Sequence, residues 1–164
     1  MVGHDAAPVL LAMDAGVRET GWAIFQSRCL VTTGIIRVPH RRRLDAEIRI
    51  CYLIGCLDEV VAEWQPGAVV YSRPSGPHWP IQALELLEAG LVAWSKRQRL
   101  GLYSYSAQEV RSAMAGHPNV SRDEIAYADM AMLALIGQGK TQHESEAVAA
   151  GDYHLDRGVS TSLP

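Results

Sequence analysis

The stretch Val9-Leu-Leu-Ala-Met-Asp14-Ala-Gly-Val-Arg-Glu-Thr-Gly21-Trp-Ala-Ile-Phe25 decides how the rest of the chain is read. Val9 to Met13 is a short apolar run behind Pro8. Trp22 to Phe25 is a second one, and glycines at 16 and 21 flank the bend between them. Strand, tight turn, strand is the reading that this pattern predicts. Leu30 to Val38 is rich in β-branched residues and suits a third strand, which Pro39 ends. The chain therefore opens as a three-stranded antiparallel meander.

Downstream, the period changes. Leu44, Ile48, Cys51, Ile54, Leu57, Val61 and Trp64 recur at steps of three and four, which predicts a long amphipathic helix stopped at Gln65-Pro66-Gly67. Ala68 to Tyr71 is a short buried strand, and the proline-rich segment from Ser72 to Pro80 is a loop. Leu84, Leu87, Leu91 and Trp94 mark a second helix. Leu102 to Tyr105 is a fifth strand and Ala107 to Met114 a helix. Ser121 with Glu124 has capping-box spacing and opens another helix to about Leu135. A last helix runs from about His143 to Tyr153. The order predicts an α/β fold: a mixed five-stranded sheet, the meander plus parallel strands, flanked by helices. Residues 1–155 form one domain, and 156–164 a loosely held tail.

Composition narrows the function classes. A formal net charge of −3 speaks against coating nucleic acid by bulk charge and leaves room for a local basic face. Cys29, Cys51 and Cys56 form no Cys-x-x-Cys pair, so buried free thiols are expected and a structural zinc site is not. No secretory leader and no membrane-length apolar run is read, so a soluble cytoplasmic protein is expected.

Asp14 ends the first strand just before a glycine-flanked bend. It is either a turn-capping aspartate or a carboxylate projecting into the crevice at the strand ends. His143 and Glu146 are three apart on a helix start and share a face. They are either solvated helix-start polarity or a divalent-metal pair. Taken together, an aspartate on the first strand and an acidic or histidine pair on the last helix is how a ribonuclease H-like site is assembled. In such sites two magnesium ions roughly 4 Å apart activate a water and stabilise the leaving 3′ oxygen.

Four blocks in order resemble the RuvC family of Holliday-junction resolvases. The opening Asp14-Ala-Gly-Val-Arg-Glu-Thr-Gly21 is similar to the family's Asp-Pro-Gly-x-x-x-Thr-Gly. Glu63-Trp-Gln-Pro-Gly-Ala-Val-Val-Tyr-Ser72 resembles the block leading into the next strand. Tyr103-Ser-Tyr-Ser-Ala-Gln-Glu-Val-Arg111 resembles the block before a basic loop, and His143-Glu-Ser-Glu146-Ala-Val-Ala-Ala the closing helix. The likeness spans about Val9 to His154. It implies a ribonuclease H-like fold, Mg2+ or Mn2+ as cofactor, four-way DNA junctions as substrate and a homodimer; the helix carrying Leu84, Leu87, Leu91 and Trp94 is where subunits of the family pair, or its apolar stripe is plain core. Asp14, His143 and Glu146 take the metal-ligand and catalytic positions. Arg111 takes that of a basic residue near the scissile phosphate. Arg122 lies where the family has another basic residue, although Glu124 aligns best there. Arg41, Arg42 and Arg43 are phosphate contacts or a solvated helix start. Trp79 stacks on a base or packs on the sheet edge.

One position departs from the pattern. The family places a metal-bridging glutamate where this chain has Ser72, with Arg73 adding positive charge beside it. Losing an anionic ligand weakens a magnesium site, because magnesium relies on few carboxylates. Either cutting has been lost with binding kept, or Glu85, Glu88 or Glu144 substitutes. Two further classes stay in view: a protein-interaction domain on the same fold, and the phosphate loop of the actin and sugar-kinase superfamily. The latter needs two such domains, for which 164 residues leave no room.

Overall fold

A computed structural model describes residues 7–39, 45–73, 81–115 and 141–160. Arg41, Arg42, Arg43, Trp79, Arg122 and the helix expected from Ser121 lie outside these.

The hairpin forms as expected, with β1 (Val9–Asp14) antiparallel to β2 (Glu19–Gln26) and β3 (Cys29–Arg37) following on. β2 begins three residues earlier than its apolar run. Thr20 ties the turn behind it, accepting from the Gly16 amide at 3.2 Å and donating to the Gly16 carbonyl at 3.0 Å. Ser27 and Arg28, both at positive φ, make the two-residue turn into β3.

Helix α1 (Ala46–Trp64) is capped by Asp45, whose side chain accepts from the Ile48 amide. It ends at Gln65 in the left-handed region. β4 (Ala68–Arg73) returns parallel to β1, α2 (Ile81–Gln98) crosses over, and β5 (Gly101–Ser106) runs parallel to β4. α3 (Ala107–Ala115) follows directly, and α4 (Gln142–Ser160) closes the described chain. The sheet order is β3-β2-β1-β4-β5. This is the expected mixed sheet.

Strand alternation divides the core into two. Leu11, Met13, Ile24, Val69 and Tyr71 face α1 and α2, meeting Leu53, Leu57, Leu91 and Trp94. Leu10, Ala12, Ala23, Phe25 and Val70 face α4, meeting Ala147 and Val148. Small residues on α4 bring it close: a Cβ on Gly151 would overlap the Phe25 ring.

Three expectations are corrected. On α1 the buried residues are Ile50, Leu53, Leu57 and Val60, while Ile48 and Cys51 are exposed. Apolar residues occur on more than one face of this helix, and the sheet selects among them. Cys29 is likewise exposed and Cys56 is half-buried, so none of the three free thiols is buried. α4 continues beyond Tyr153 to Ser160, carrying Asp156 and Arg157 in helix. Arg28 binds Asp156, and Arg157 binds Glu109 of α3. No described helix is long and apolar enough to cross a membrane.

Candidate active site

Asp14 is the last residue of β1 and lies on the α4 face. In register, its neighbours are Gly21 on β2 and Ser72 on β4. Gly21 has no side chain, and the first turn of α4 fills the space. A Cβ there would overlap the His143 carbonyl and the Glu144 amide. Glycine thus seats the start of α4 on the sheet beside Asp14, and the His143 ring falls against the carboxylate. Nδ1 of His143 lies 2.7 Å from Oδ2 of Asp14, joining residues 129 apart in sequence.

On its other edge the same ring faces Glu19, with Nε2 3.4 Å from Oε2. The three side chains open progressively to solvent: Asp14 is 13% exposed, His143 27% and Glu19 40%. Sequence reading missed Glu19. The signal was the hairpin register, because alternation from Gly21 puts Glu19 on the face of Asp14.

Glu146 is brought to the α4 interior rather than to solvent. It is 2% exposed, and its Oε1 accepts from both Nε (3.2 Å) and Nη2 (2.8 Å) of Arg111 on α3. Pairing balances a carboxylate that burial would otherwise make costly.

Ser72 is 1% exposed, and its hydroxyl has no hydrogen-bond partner among the described residues. The three carboxylates considered as substitutes have other posts. Glu88 accepts from the Tyr71 hydroxyl at 2.9 Å, on the opposite face of the sheet. Burial and the Glu88 carboxylate push the Tyr71 hydroxyl up to about 12. Glu85 is exposed on α2, the helix packed on that same opposite face. Glu144 forms a capping box with Thr141. It accepts from the Thr141 amide at 2.8 Å, and its own amide donates to the Thr141 hydroxyl. Its other oxygen takes the Thr33 hydroxyl of β3. Arg73 points away from Asp14, since its neighbour Ser72 holds the α4 face, and its charge acts on Tyr71.

Among the described residues, no three His, Cys, Asp or Glu side chains form a group suited to a metal ion. Magnesium keeps several waters and needs only one or two carboxylates. Asp14 offers one such carboxylate, and His143, whose two ring nitrogens face Asp14 and Glu19, orients it. A bridged pair of ions does not fit, because position 72 supplies no charge and Glu146 is neutralised by Arg111.

The family model for "Crossover junction endodeoxyribonuclease RuvC" matches residues 10–154. The chain belongs to the RuvC family. Relatives named crossover junction endodeoxyribonuclease RuvC include one from Chlorobium chlorochromatii. It is 26% identical over 93% of this chain and 81% of its own length. Another, from Alkalilimnicola ehrlichii, is 27% identical over 90% and 91%. The fold agrees with Thermus thermophilus RuvC in complex with a Holliday junction substrate, at TM-score 0.78 and 17% identity over 94% of this chain and 97% of that one. The yeast mitochondrial Holliday junction resolvase Ydc2 shares it at TM-score 0.58 and 15% identity, over 99% of this chain and 90% of that one. Within this RuvC family member, the Asp14–His143 contact joins the first strand and the last helix of the described chain.

Proposed function

We propose that this chain acts on four-way DNA junctions as a structure-selective endonuclease of the RuvC type. The observation that carries this is the Asp14 carboxylate at the end of β1, held at 2.7 Å by His143 of α4, in a RuvC-family chain. Asp14, oriented by His143, would hold a Mg2+ or Mn2+ ion, which would activate water and stabilise the leaving oxygen of a phosphodiester. His143 keeps the Asp14 carboxylate aimed into the crevice. Arg111, anchored by Glu146 and 22% exposed, offers its guanidinium to a phosphate. Arg41, Arg42, Arg43, Arg122 and Trp79 are assigned to the DNA contacts on the strength of the family pattern alone.

A homodimer suits a substrate with approximate two-fold symmetry. Leu87, Leu91 and Trp94 of α2 are buried in the core, so the surface assigned to the homodimer is Leu86 and Val92, exposed on the same helix. The cytoplasm is the proposed location.

A second reading, junction binding without cutting, is favoured by the uncharged Ser72 beside Asp14. A labelled four-way junction separates the two, with cutting assayed in Mg2+ and Mn2+ and binding followed by gel shift. Paired nicks that vanish in Asp14→Asn support the endonuclease. Binding without nicks supports the second reading. Neither binding nor nicking overturns both.

A further inference from the structure

Glu19 occupies one of the three variable positions between Gly16 and Thr20, so the family motif assigns it nothing. Its surroundings do. Asp14 is flanked by two strands. On the β4 side stands Ser72, buried, uncharged and too short to reach a ring above it. On the β2 side stands Gly21, and the next residue on the same face is Glu19. Because the first turn of α4 rests on Gly21, His143 approaches from the β2 side, where the carboxylate is.

With both ring nitrogens protonated, the two contacts act together, each an N–H facing a carboxylate oxygen. Turning an imidazole half a revolution about its Cβ–Cγ bond exchanges Nδ1 with Cδ2 and Nε2 with Cε1. Only one of these orientations sets Nδ1 at 2.7 Å from Asp14 and Nε2 at 3.4 Å from Glu19; the other sets carbon against both carboxylates. Glu19 is itself braced from the far side, since its Oε1 accepts from Arg37 Nε at 3.2 Å while Oε2 faces the ring. Arg37 lies opposite Glu19 in the β2–β3 register, so the brace is built into the sheet.

We propose that Glu19 is a positioning residue, which clamps the His143 ring from β2 and so holds the Asp14–His143 pair in a site that lacks a carboxylate at position 72. Carboxylates behind a site histidine fix its tautomer and orientation, and losing one typically costs 10–100-fold in metal affinity or activity. The consequence for cutting rests on the proposed endonuclease reading; the effect on the ring does not.

The test uses the full chain labelled with 15N and 13C. His143 ring resonances are assigned by comparison with His143→Gln and followed in Glu19→Gln, Glu19→Asp and Arg37→Gln, with thermal unfolding as the check on folding. In Glu19→Gln the His143 ring nitrogens shift while the unfolding midpoint stays close to the parent's. Glu19→Asp retains part of the parent spectrum, and Arg37→Gln gives a smaller shift in the direction of Glu19→Gln. Junction cutting, measured in parallel, falls about 10–100-fold in Glu19→Gln with junction affinity unchanged. His143 resonances that are the same in the parent and in Glu19→Gln overturn the proposal. Should Glu19→Gln not fold, an unchanged ring in Arg37→Gln overturns it equally. A ring that responds in a chain that neither binds nor cuts junctions keeps the clamp and removes the endonuclease.

Discussion

Replacing Ser72 by glutamate probes the site most directly. The residue is 1% exposed and pairs in register with Asp14 on the α4 face. Side chains of neighbouring strands at such positions are separated by roughly 5 Å. Two carboxylates at that distance repel by about 3 kcal/mol at an effective dielectric constant near 20. A chain of this size changes its unfolding midpoint by roughly 2–4 °C per kcal/mol. In EDTA at neutral pH, Ser72→Glu is therefore expected to melt roughly 6–12 °C below the parent. A divalent ion reverses the sign. Bound only by the folded state, it restores about 2.7 kcal/mol at one hundred times its dissociation constant. Mn2+ should thus bring the variant nearly back to the metal-free parent midpoint, while the parent, with one carboxylate fewer, gains less. Thermal unfolding by circular dichroism across a Mn2+ titration measures both arms, and junction cutting should rise in the variant. The reasoning is refuted if the metal-free variant is as stable as the parent, because position 72 would then not lie beside the Asp14 carboxylate. It is refuted equally if Mn2+ stabilises variant and parent alike.

Three more outcomes follow from the same geometry. Gly21→Ala drives a Cβ into the start of α4, a form of overpacking that costs about 1–3 kcal/mol; the unfolding midpoint should fall, and the His143 ring resonances should change as α4 lifts from Asp14. Arg111→Met strands a carboxylate that is 2% exposed, so urea unfolding should register a loss of about 3–5 kcal/mol, and Arg111→Met with Glu146→Leu should recover most of it. Asp152 of α4 is raised to about 6 by burial and then by the Asp156 charge. For an acid raised in the folded state, the native chain holds the extra proton between the two pKa values. Stability therefore falls as pH rises from about 4 to about 6. Asp152→Asn should flatten that slope and stabilise at pH 7, on the order of 1 kcal/mol after solvent screening. Urea midpoints at pH 4.5 and pH 7 decide it.

Much of the fold was legible because its signals are local. The apolar runs beside Asp14 and at Trp22, the stop at Gln65-Pro66-Gly67 and the leucine stripe of α2 each act within a few residues. So does the spacing of His143 and Glu146 along one helix. The family resemblance named Asp14 and His143 together, and their side chains lie in contact. Reading the same residues one at a time misjudged α1, where apolar side chains on several faces leave the buried one undetermined until a sheet is present.

What only the tertiary structure decided concerns sides and partners. Arg73 is next to Ser72 in sequence and falls on the wrong face of the sheet, because a strand turns each successive side chain over, and Glu88 comes from α2, the helix packed on that same face. Glu19 joins His143 across more than a hundred residues, and that meeting depends on a hairpin register and on a glycine small enough to seat a helix. Glu146 was readable as a carboxylate but not as the buried partner of Arg111. Local propensity sets which elements form. Burial of their faces against one another, a non-local free energy, decides which charges end up side by side.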